Sequence, residues 1–260
     1  IEGDLCDEGV ARRACQGVTH VLHQASIPSV PRSIDDPLGS MHSSVTATVT
    51  LLLAARDAGV KRLVQAASSS VYGDSETLPK VESMLPKPLS PYAVAKLTQE
   101  YYASAFSTCY GLDTASLRYF NVFGPRQDPN SEYAAVIPKF ITLMLAKTPP
   151  TIHGDGQQSR DFTFIDNIVA GNLLAARCAT PLRGEILNLA CGDRISLLDL
   201  VGLLNQILGT DVRPVHGPSR AGDVKHSQAG VEKAEKVLGF APVVSFEEGL
   251  RRTVEWYRKP

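Results

Sequence analysis

Residues 61–73, KRLVQAASSSVYG, run from a short apolar segment into three serines and a closing glycine. An apolar run of this length is typical of a buried strand in a parallel sheet. Similar runs occupy 19–25, 114–120 and 185–190, and helical patterns near 37–58, 91–109, 134–147 and 166–178 alternate with them. The alternation predicts an α/β fold built on a doubly wound parallel sheet.

The composition of the chain changes near residue 121. Proline and glycine recur in NVFGPRQDPN, KTPPTIHGDGQ and RPVHGPSRAGD, and the elements between them are short. We therefore expect a sheet domain at 1–120 and, at 121–260, mainly a smaller ligand-binding lobe with some segments that return to the sheet. Ligands of open α/β sheets bind at the carboxyl edge of the strands, which is where this lobe should lie.

Composition narrows the functional classes. With 260 residues, 43% of them hydrophobic, and a formal net charge of -1, the chain can bury the core of one large domain or of one and a half. It has no Lys/Arg cluster that would indicate nucleic-acid binding, and no apolar run near the roughly 20 residues that span a membrane. Five scattered cysteines without C-x-x-C or H-E-x-x-H argue against disulfides and a metal site. The acidic N-terminus does not resemble a signal peptide, so we expect a cytoplasmic protein.

Three polar segments follow one another at predicted strand ends and should meet at the carboxyl edge of the sheet. The serines of SSSVYG at 68–73 follow one strand, and Asn121 follows the next. Between them, SPYAVAK starts a helix at a proline and places Tyr92 and Lys96 four residues apart on one helical face. A cation beside a phenol favours the phenolate, so the sequence predicts a site with a basic tyrosine.

These motifs resemble the extended short-chain dehydrogenase/reductases and, within them, the NAD-dependent epimerase/dehydratase family. The motifs that carry the resemblance are GDLCD at 3–7, VLHQAS at 21–26, SVPRSIDDP at 29–37, SSSVYG, SPYAVAK, RYFNVFGPRQDP from 118, YAAVIPKF at 133–140, IHGDGQQSRDF at 152–162 and RAGDVKHS at 220–227. The last five are most similar to bacterial 4-epimerases that act on UDP-N-acetylglucosamine and serve polysaccharide biosynthesis. The resemblance implies a Rossmann-like sheet, NAD as the cofactor and a UDP-sugar as the substrate.

The resemblance gives four residues a role in catalysis. Tyr92, as a phenolate, would take the proton of the sugar 4-hydroxyl while C4 passes a hydride to NAD. Lys96 would hold the nicotinamide ribose and lower the pKa of Tyr92. Ser68 would hydrogen-bond the same sugar oxygen, with Ser69 close by. The transient 4-keto sugar would then turn over and take the hydride back on its other face.

The resemblance also implies two sets of binding residues. Those around NAD are Asp4, Leu5, Gln24, Ala25, Tyr92, Lys96 and Tyr119. Those around the nucleotide sugar are Ser29, Ser70, Asn121, Ala135, Val136, Ile137, His153, Arg160, Arg220, Asp223 and Ser227. Arg160 and Arg220 would balance the charge of the diphosphate. Ser227 would border the substituent on sugar C2, where a small residue leaves room for an N-acetyl group.

Related activities and the assembly follow from the same resemblance. Sugar 4,6-dehydratases have an acid pair where Ser69 and Ser70 stand, so dehydration is disfavoured. A UDP-glucose 4-epimerase, or a related enzyme that modifies nucleotide sugars, remains the alternative. Members of the family pair through the helices that correspond to 37–58 and 91–109, which predicts a homodimer.

One family motif does not occur in the chain. The glycine-rich loop that seats the pyrophosphate of NAD, G-x-x-G-x-x-G, is not found before the strand at 19–25. We therefore expect a sheet that lacks its first two βα units, an unpaired edge at that strand, and a chain that is inactive by itself. A non-catalytic protein that binds nucleotide sugars is the alternative. Ser68, Tyr92 and Lys96 together favour an enzyme, because binding alone needs no base.

Overall fold

The computed structural model describes residues 1–129, 135–218 and 225–258. The strands, in chain order, are β1 His20–His23, β2 Arg62–Ser68, β3 Asp113–Tyr119, β4 Val122–Phe123, β5 Thr151–His153, β6 Ser159–Arg160, β7 Thr163–Phe164, β8 Glu185–Leu189, β9 Ile195–Ser196 and β10 Val215–Gly217. The α-helices are α1 Glu8–Cys15, α2 Val30–Asp35, α3 Pro37–Met41, α4 Ala47–Asp57, α5 Pro91–Tyr110, α6 Val136–Leu145, α7 Ile165–Arg177, α8 Leu197–Leu208, α9 Glu232–Leu238 and α10 Phe246–Arg258.

A parallel sheet forms the centre of the structure. Its strands lie in the order β1, β2, β3 and β8 across the described part of the chain. β2 and β3 pair from Arg62 opposite Asp113 to Ser68 opposite Tyr119, so both strands end at the same edge. The predicted strands and helices lie within about two residues of their expected bounds, as is usual for element ends. The α/β fold class is thereby confirmed.

The sheet is covered on both faces because successive residues of a strand point to opposite sides. Leu63 of β2 packs into an apolar cluster with residues of α1 and α4. The next residue, Val64, belongs to the cluster that α7 and α9 build with β3 and β8. Both faces of the central strands β2 and β3 are therefore largely buried, as in parallel strands that helices cover on both sides.

Helix α5 carries the tyrosine and lysine singled out in the sequence, and local signals fix both its ends. The Ser90 side chain accepts a hydrogen bond from the Ala93 N–H, and Pro91 takes the first helical position. Gly111 ends the helix in the left-handed conformation, with φ of 71°, and donates to the Ser107 carbonyl. The first turn of α5 thus starts at the carboxyl edge of the sheet.

The segment from α3 to α4 corresponds to the helix predicted at 37–58. A π-helical turn at His42–Thr46 joins the two helices. By length and composition alone, Pro37–Asp57 is apolar enough to cross a membrane, with 21 residues and a mean hydropathy of 1.3. Much of it is buried against α1 and α5, as expected for a helix that lies on a sheet.

A second apolar core lies beyond residue 121. Helices α6, α8 and α10 pack together around Phe123, Phe162 and Phe164. Phe123 meets the ring of Phe164 edge-on at a centroid distance of 5.6 Å. Two short sheets lie in this part of the chain, with β4 parallel to β7 and β6 antiparallel to β9.

Tight packing between α7 and β8 gives a test of the fold. A Cβ on Gly171 of α7 would overlap the buried Leu189 side chain, so Gly171→Ala should lower the free energy of unfolding by roughly 1–3 kcal/mol. Gly202 lies in α8 with open space where its Cβ would be, and Gly202→Ala should raise the free energy by up to about 1 kcal/mol. Urea unfolding of the two variants measures both values. Equal stability of the two would contradict the packing of α7 on β8.

Candidate active site

A cleft with a volume of about 1210 Å³ opens at the carboxyl ends of β2 and β3. Its walls come from the loop after β1, the serines after β2, the first turns of α5, and the segments that follow β3 and β6. Drug-sized ligands fill pockets of roughly 300–1,000 Å³, so the cleft has room for a nucleotide sugar together with part of a cofactor.

The serine segment forms a tight turn that aims hydroxyl groups into the cleft. Ser68 ends β2, and its Oγ accepts hydrogen bonds from the Ser70 N–H at 3.2 Å and the Ser70 hydroxyl at 2.9 Å. Gly73 closes the turn at φ of 62°, where a Cβ would overlap the Lys87 carbonyl. With its lone pairs occupied by Ser70, the Ser68 hydroxyl can donate its proton into the cleft.

Tyr92 lies in the first turn of α5 and faces the serine turn. Its backbone N–H donates to Ser33 Oγ at 3.0 Å, which ties the start of α5 to α2. Burial raises the pKa of Tyr92, and a hydrogen bond with Ser68 opposes this shift by favouring the phenolate. The lowering of the Tyr92 pKa by Lys96 stays a prediction.

Lys96 is buried one helical turn behind Tyr92, with 4% of its surface exposed. Its ammonium donates to the Ala66 carbonyl of β2 at 3.0 Å and lies 5.9 Å from the centre of the Tyr92 ring. Burial lowers the pKa of Lys96 to about 8, and the nearby Glu100 carboxylate acts in the opposite direction. Whether Lys96 carries its positive charge therefore depends on the groups immediately around it.

A polar network lies at the ends of β1 and β3 beside α7. The Tyr119 hydroxyl accepts hydrogen bonds from Asn172 Nδ2 at 2.7 Å and from Gln24 Nε2 at 3.1 Å. Gln24, Tyr119 and the buried Lys96 line the same part of the cleft. Amide, phenol and ammonium groups are donors that suit the ribose and carboxamide of a nicotinamide, so these residues fit that half of the cofactor.

The opposite wall of the cleft is built by Asn121 and Arg160. Asn121 has φ of 33°, a strained value for a residue other than glycine, and its Nδ2 donates to the Asp161 carbonyl at 3.2 Å. Arg160 Nη1 donates to the Ser159 carbonyl at 3.0 Å, and the same carbonyl accepts from the Ser227 N–H at 3.0 Å. Ser227 is thereby held next to Arg160 in the cleft wall.

Asp161 connects the cleft wall of Asn121 and Arg160 to the rest of the fold through hydrogen bonds. Its fully buried carboxylate accepts backbone N–H bonds from Cys191, Gly192 and Ala229 at 3.0 to 3.1 Å. Burial raises the pKa of Asp161 to about 6, and the three hydrogen bonds oppose this shift. One side chain thus joins the strand of Arg160 to the end of β8 and to the segment after Ser227.

The structure sorts the residues predicted from the sequence into three groups. Those that line the cleft are Gln24, Ser29, Ser68, Ser69, Ser70, Tyr92, Lys96, Tyr119, Asn121, Ala135, Arg160 and Ser227. Those that do not line it are Asp4, Leu5, Ala25, Val136, Ile137 and His153. Arg220 and Asp223 lie outside the described residues.

Several residues outside the cleft have other roles in the structure. Ile137 is buried in the second core and Val136 packs against it, because their helix presents this face to α8 and α10. His153 Nδ1 forms a hydrogen bond of 3.1 Å with the Pro218 carbonyl oxygen. Leu5 packs against the cluster under α1 and α4. The predicted contact of the segment at Val136 and Ile137 with the substrate stays a prediction.

Four polar residues at the site were not predicted from the sequence. Lys80 and Gln127 line the cleft, and Glu100 lies one helical turn beyond Lys96. Asn172 donates a hydrogen bond to the Tyr119 hydroxyl. The four-residue spacing of Lys96 and Glu100 was a usable signal, since such a pair shares one helical face. Lys80 and Asn172 reach the site only through the tertiary fold, and no local pattern marks them.

The N-terminal segment brings three potential metal ligands together. Ligand atoms of Asp4, Cys6 and His42 lie within 4.8 Å of one another. However, the Cys6 thiol donates to the His42 carbonyl at 3.3 Å, and burial raises its pKa to about 11. The sequence-based expectation of no metal site stays a prediction.

Comparisons with known proteins agree with this geometry. Residues 1–190 match the model of the NAD dependent epimerase/dehydratase family. A UDP-glucuronate 4-epimerase of Thermodesulfobacterium geofontis is 35% identical over 93% of this chain and 73% of its own length. The structure of a UDP-N-acetylglucosamine 4-epimerase from Methanobrevibacter ruminantium superposes with a TM-score of 0.94 at 38% identity, covering 99% of this chain and 82% of that one.

A third relative was solved with its cofactor. The UDP-glucuronic acid 4-epimerase of Bacillus cereus, in complex with UDP-glucuronic acid and NAD, has a TM-score of 0.91 and 31% identity over 100% of this chain and 81% of that one. The paired tyrosine and lysine, the serine turn and these likenesses converge. The chain belongs to the NAD-dependent epimerase/dehydratase family and is an enzyme of that family with NAD as its cofactor.

Proposed function

We propose that the protein is an NAD-dependent 4-epimerase of UDP-hexoses, and that it interconverts UDP-N-acetylglucosamine and UDP-N-acetylgalactosamine. The observation that carries the proposal is the convergence of Tyr92, Lys96 and Ser68 in one cleft. A phenol, a buried cation and a hydroxyl donor are the groups needed to take a proton from a sugar hydroxyl and return it.

In the proposed mechanism Tyr92 accepts the proton of the sugar 4-hydroxyl. Ser68 donates its single hydroxyl hydrogen bond to the same oxygen, and Lys96 offsets the negative charge of the phenolate. Bound NAD, held by Lys96 and the polar groups of Gln24 and Tyr119, would supply the acceptor for the hydride of C4. Because Tyr92 and Ser68 hold the C4 oxygen in the alcohol and in the ketone, the sugar can turn while that oxygen stays in place.

The nucleotide part of the substrate would lie along the opposite wall. Arg160 supplies a cation close to Asn121 and Ser227, where a diphosphate would need one. Ala135 lines the same region. The sequence resemblance adds Arg220 and Asp223 as further contacts of the diphosphate and ribose.

Other members of the family act on different sugars, and the residues of the cleft favour some over others. The relatives include 4-epimerases of UDP-glucose and UDP-glucuronate and a dTDP-glucose 4,6-dehydratase. Dehydration requires an acid and a base beside C5 and C6 of the sugar. Ser69 and Ser70 provide only hydroxyls there, so we favour epimerisation. UDP-glucose is the second candidate substrate.

Two further features of the protein are part of the proposal. Its five cysteines are free thiols, which suits the reducing cytoplasm where nucleotide sugars are made. Helices α3 and α5 contact each other and expose apolar side chains to solvent, among them Leu38, Met41, Val94 and Tyr101. An apolar surface on two adjacent helices supports a homodimer formed through them.

The assignment of Tyr92 as the base predicts a large loss of activity in Tyr92→Phe. The enzyme should lose roughly 10²- to 10⁴-fold in kcat for UDP-N-acetylglucosamine, because the ring stays and only the proton acceptor is removed. Tyr110→Phe, the same change at the exposed end of α5, is the matched control and should retain activity. Near-parental turnover in Tyr92→Phe would refute the role of Tyr92.

The preference for N-acetylated sugars is tested at Ser227. Ser227→Tyr should overfill the space for the acetamide, and overpacking costs roughly 1–3 kcal/mol. We expect a roughly 5- to 150-fold loss in kcat/KM for UDP-N-acetylglucosamine and a much smaller change for UDP-galactose. The second substrate serves as the internal control. Equal losses on both would show that Ser227 does not border the C2 substituent.

The homodimer is tested by charge on its proposed interface. Leu38 is 74% exposed in the single chain, and Leu38→Asp should shift sedimentation towards the monomer, since a buried unpaired carboxylate is costly. Leu85, 90% exposed in a loop outside α3 and α5, provides the control Leu85→Asp. A dimer of unchanged affinity in Leu38→Asp would rule out this interface.

A further inference from the structure

Glu100 and Arg118 form an ion pair in the interior of the protein. Their exposed fractions are 0% and 2%, and two parallel hydrogen bonds of 2.8 and 2.7 Å join the guanidinium to the carboxylate. The guanidinium also lies 4.7 Å from the centre of the Tyr72 ring, and the Tyr72 hydroxyl donates to Asn188 Oδ1 at 2.6 Å. The pair is thus fixed from several sides.

Stability alone does not explain such a pair. Removing two charges from water costs several kcal/mol each, and apolar replacements of buried ion pairs are often as stable or more so. In addition, Arg118 Nη1 has no hydrogen-bond partner among the described residues. A pair that is costly and incompletely satisfied is better explained by a role at a neighbouring group.

The neighbouring group is Lys96. Lys96 and Glu100 are four residues apart on α5, and both are buried on the face of the helix that covers the sheet. Arg118 of β3 holds the Glu100 carboxylate from below in two bonds, which leaves this carboxylate one fixed position beside Lys96. Burial raises the pKa of Glu100, whereas Arg118 and Lys96 both lower it.

The other groups around Lys96 do not supply a negative charge like that of the Glu100 carboxylate. On α5, Tyr92 lies one turn before it. On β1, His23 is buried and bonded to Thr48 Oγ1 at 2.9 Å, and burial lowers its pKa to about 4, so it is neutral at ordinary pH. On β2, the Ala66 carbonyl accepts a hydrogen bond from the ammonium but carries no net charge.

We propose that Glu100, fixed by Arg118, is a positioning residue that keeps Lys96 protonated beside Tyr92. The proposal rests on the proposed function, in which Tyr92 is the base and needs a cation beside it. Without Glu100, burial favours the neutral amine of Lys96. A neutral amine does not stabilise the Tyr92 phenolate, so the phenolate forms only at higher pH.

The test follows the charge of Lys96 directly and needs no turnover. In this chain, labelled with isotopically enriched lysine, the NMR titration of the Lys96 Cε resonance reports its protonation, and Lys96→Arg assigns the signal. The pKa of Lys96, about 8 in the parent, should fall by roughly one unit in Glu100→Gln. Glu100→Asp, which keeps the charge, should restore most of the difference.

A second variant covers the case in which Glu100→Gln fails to fold because Arg118 is left unpaired. In Glu100→Gln/Arg118→Met both charges are removed together, which buried pairs tolerate far better. The Lys96 pKa should again be lowered. Asp113→Asn is the matched control, because Asp113 pairs with Arg62 at 2.6 Å at the far ends of β2 and β3. It should reduce stability without moving the Lys96 titration.

A second readout separates this inference from the proposed function. In the enzyme assay, Glu100→Gln should shift the acid limb of the kcat/KM profile to higher pH and leave KM for the nucleotide sugar unchanged. An unchanged Lys96 titration in Glu100→Gln and in Glu100→Gln/Arg118→Met would overturn the proposal and make the ion pair structural. A shifted titration in a protein without epimerase activity would instead uphold the role of Glu100 at Lys96 and refute the proposed function.

Discussion

The parallel pairing of β2 with β3 is the constraint on which the cleft depends. Because the two strands run side by side from Arg62 and Asp113 to Ser68 and Tyr119, they end at one edge, one with a hydroxyl and the other with a phenol. Backbone hydrogen bonds fix that register, and a slip of one residue would turn each side chain to the opposite face. The cleft wall on both sides of this edge is therefore set by the sheet.

Burial is the second force that shapes the site, and it acts on each polar group differently. It lowers the pKa of Lys96 and raises those of Tyr92 and Asp161, in every case against the charged form. Fixed partners oppose this effect of burial. Ser68 acts on the Tyr92 phenol, three backbone N–H groups act on Asp161, and Glu100 acts on the Lys96 ammonium. Charge at the site is thus decided by geometry, since an unpaired charge would not persist in this environment.

Several of the predicted residues line the cleft because they are local to strand ends and helix starts. Ser68, Tyr92 and Asn121 each follow a recognisable signal: an apolar strand, a proline at the first helical turn, and another strand. The orientation of a side chain is harder to predict from the sequence. Val136 and Ile137 lie in a helix whose direction is set by the second core, so their side chains point into that core instead of the cleft. Periodicity marks a buried face but not the cavity next to it.

The sequence by itself determined the order of strands and helices, the α/β class and the tyrosine–lysine spacing, because these depend on interactions between residues close in the chain. The tertiary structure alone decided which distant groups surround Lys96 and Tyr119. Arg118 and Asn172 reach them through strand pairing and helix packing, across 18 residues between Glu100 and Arg118 and 53 between Tyr119 and Asn172. Contacts at such separations depend on how the elements pack against one another, and no local pattern of residues encodes that.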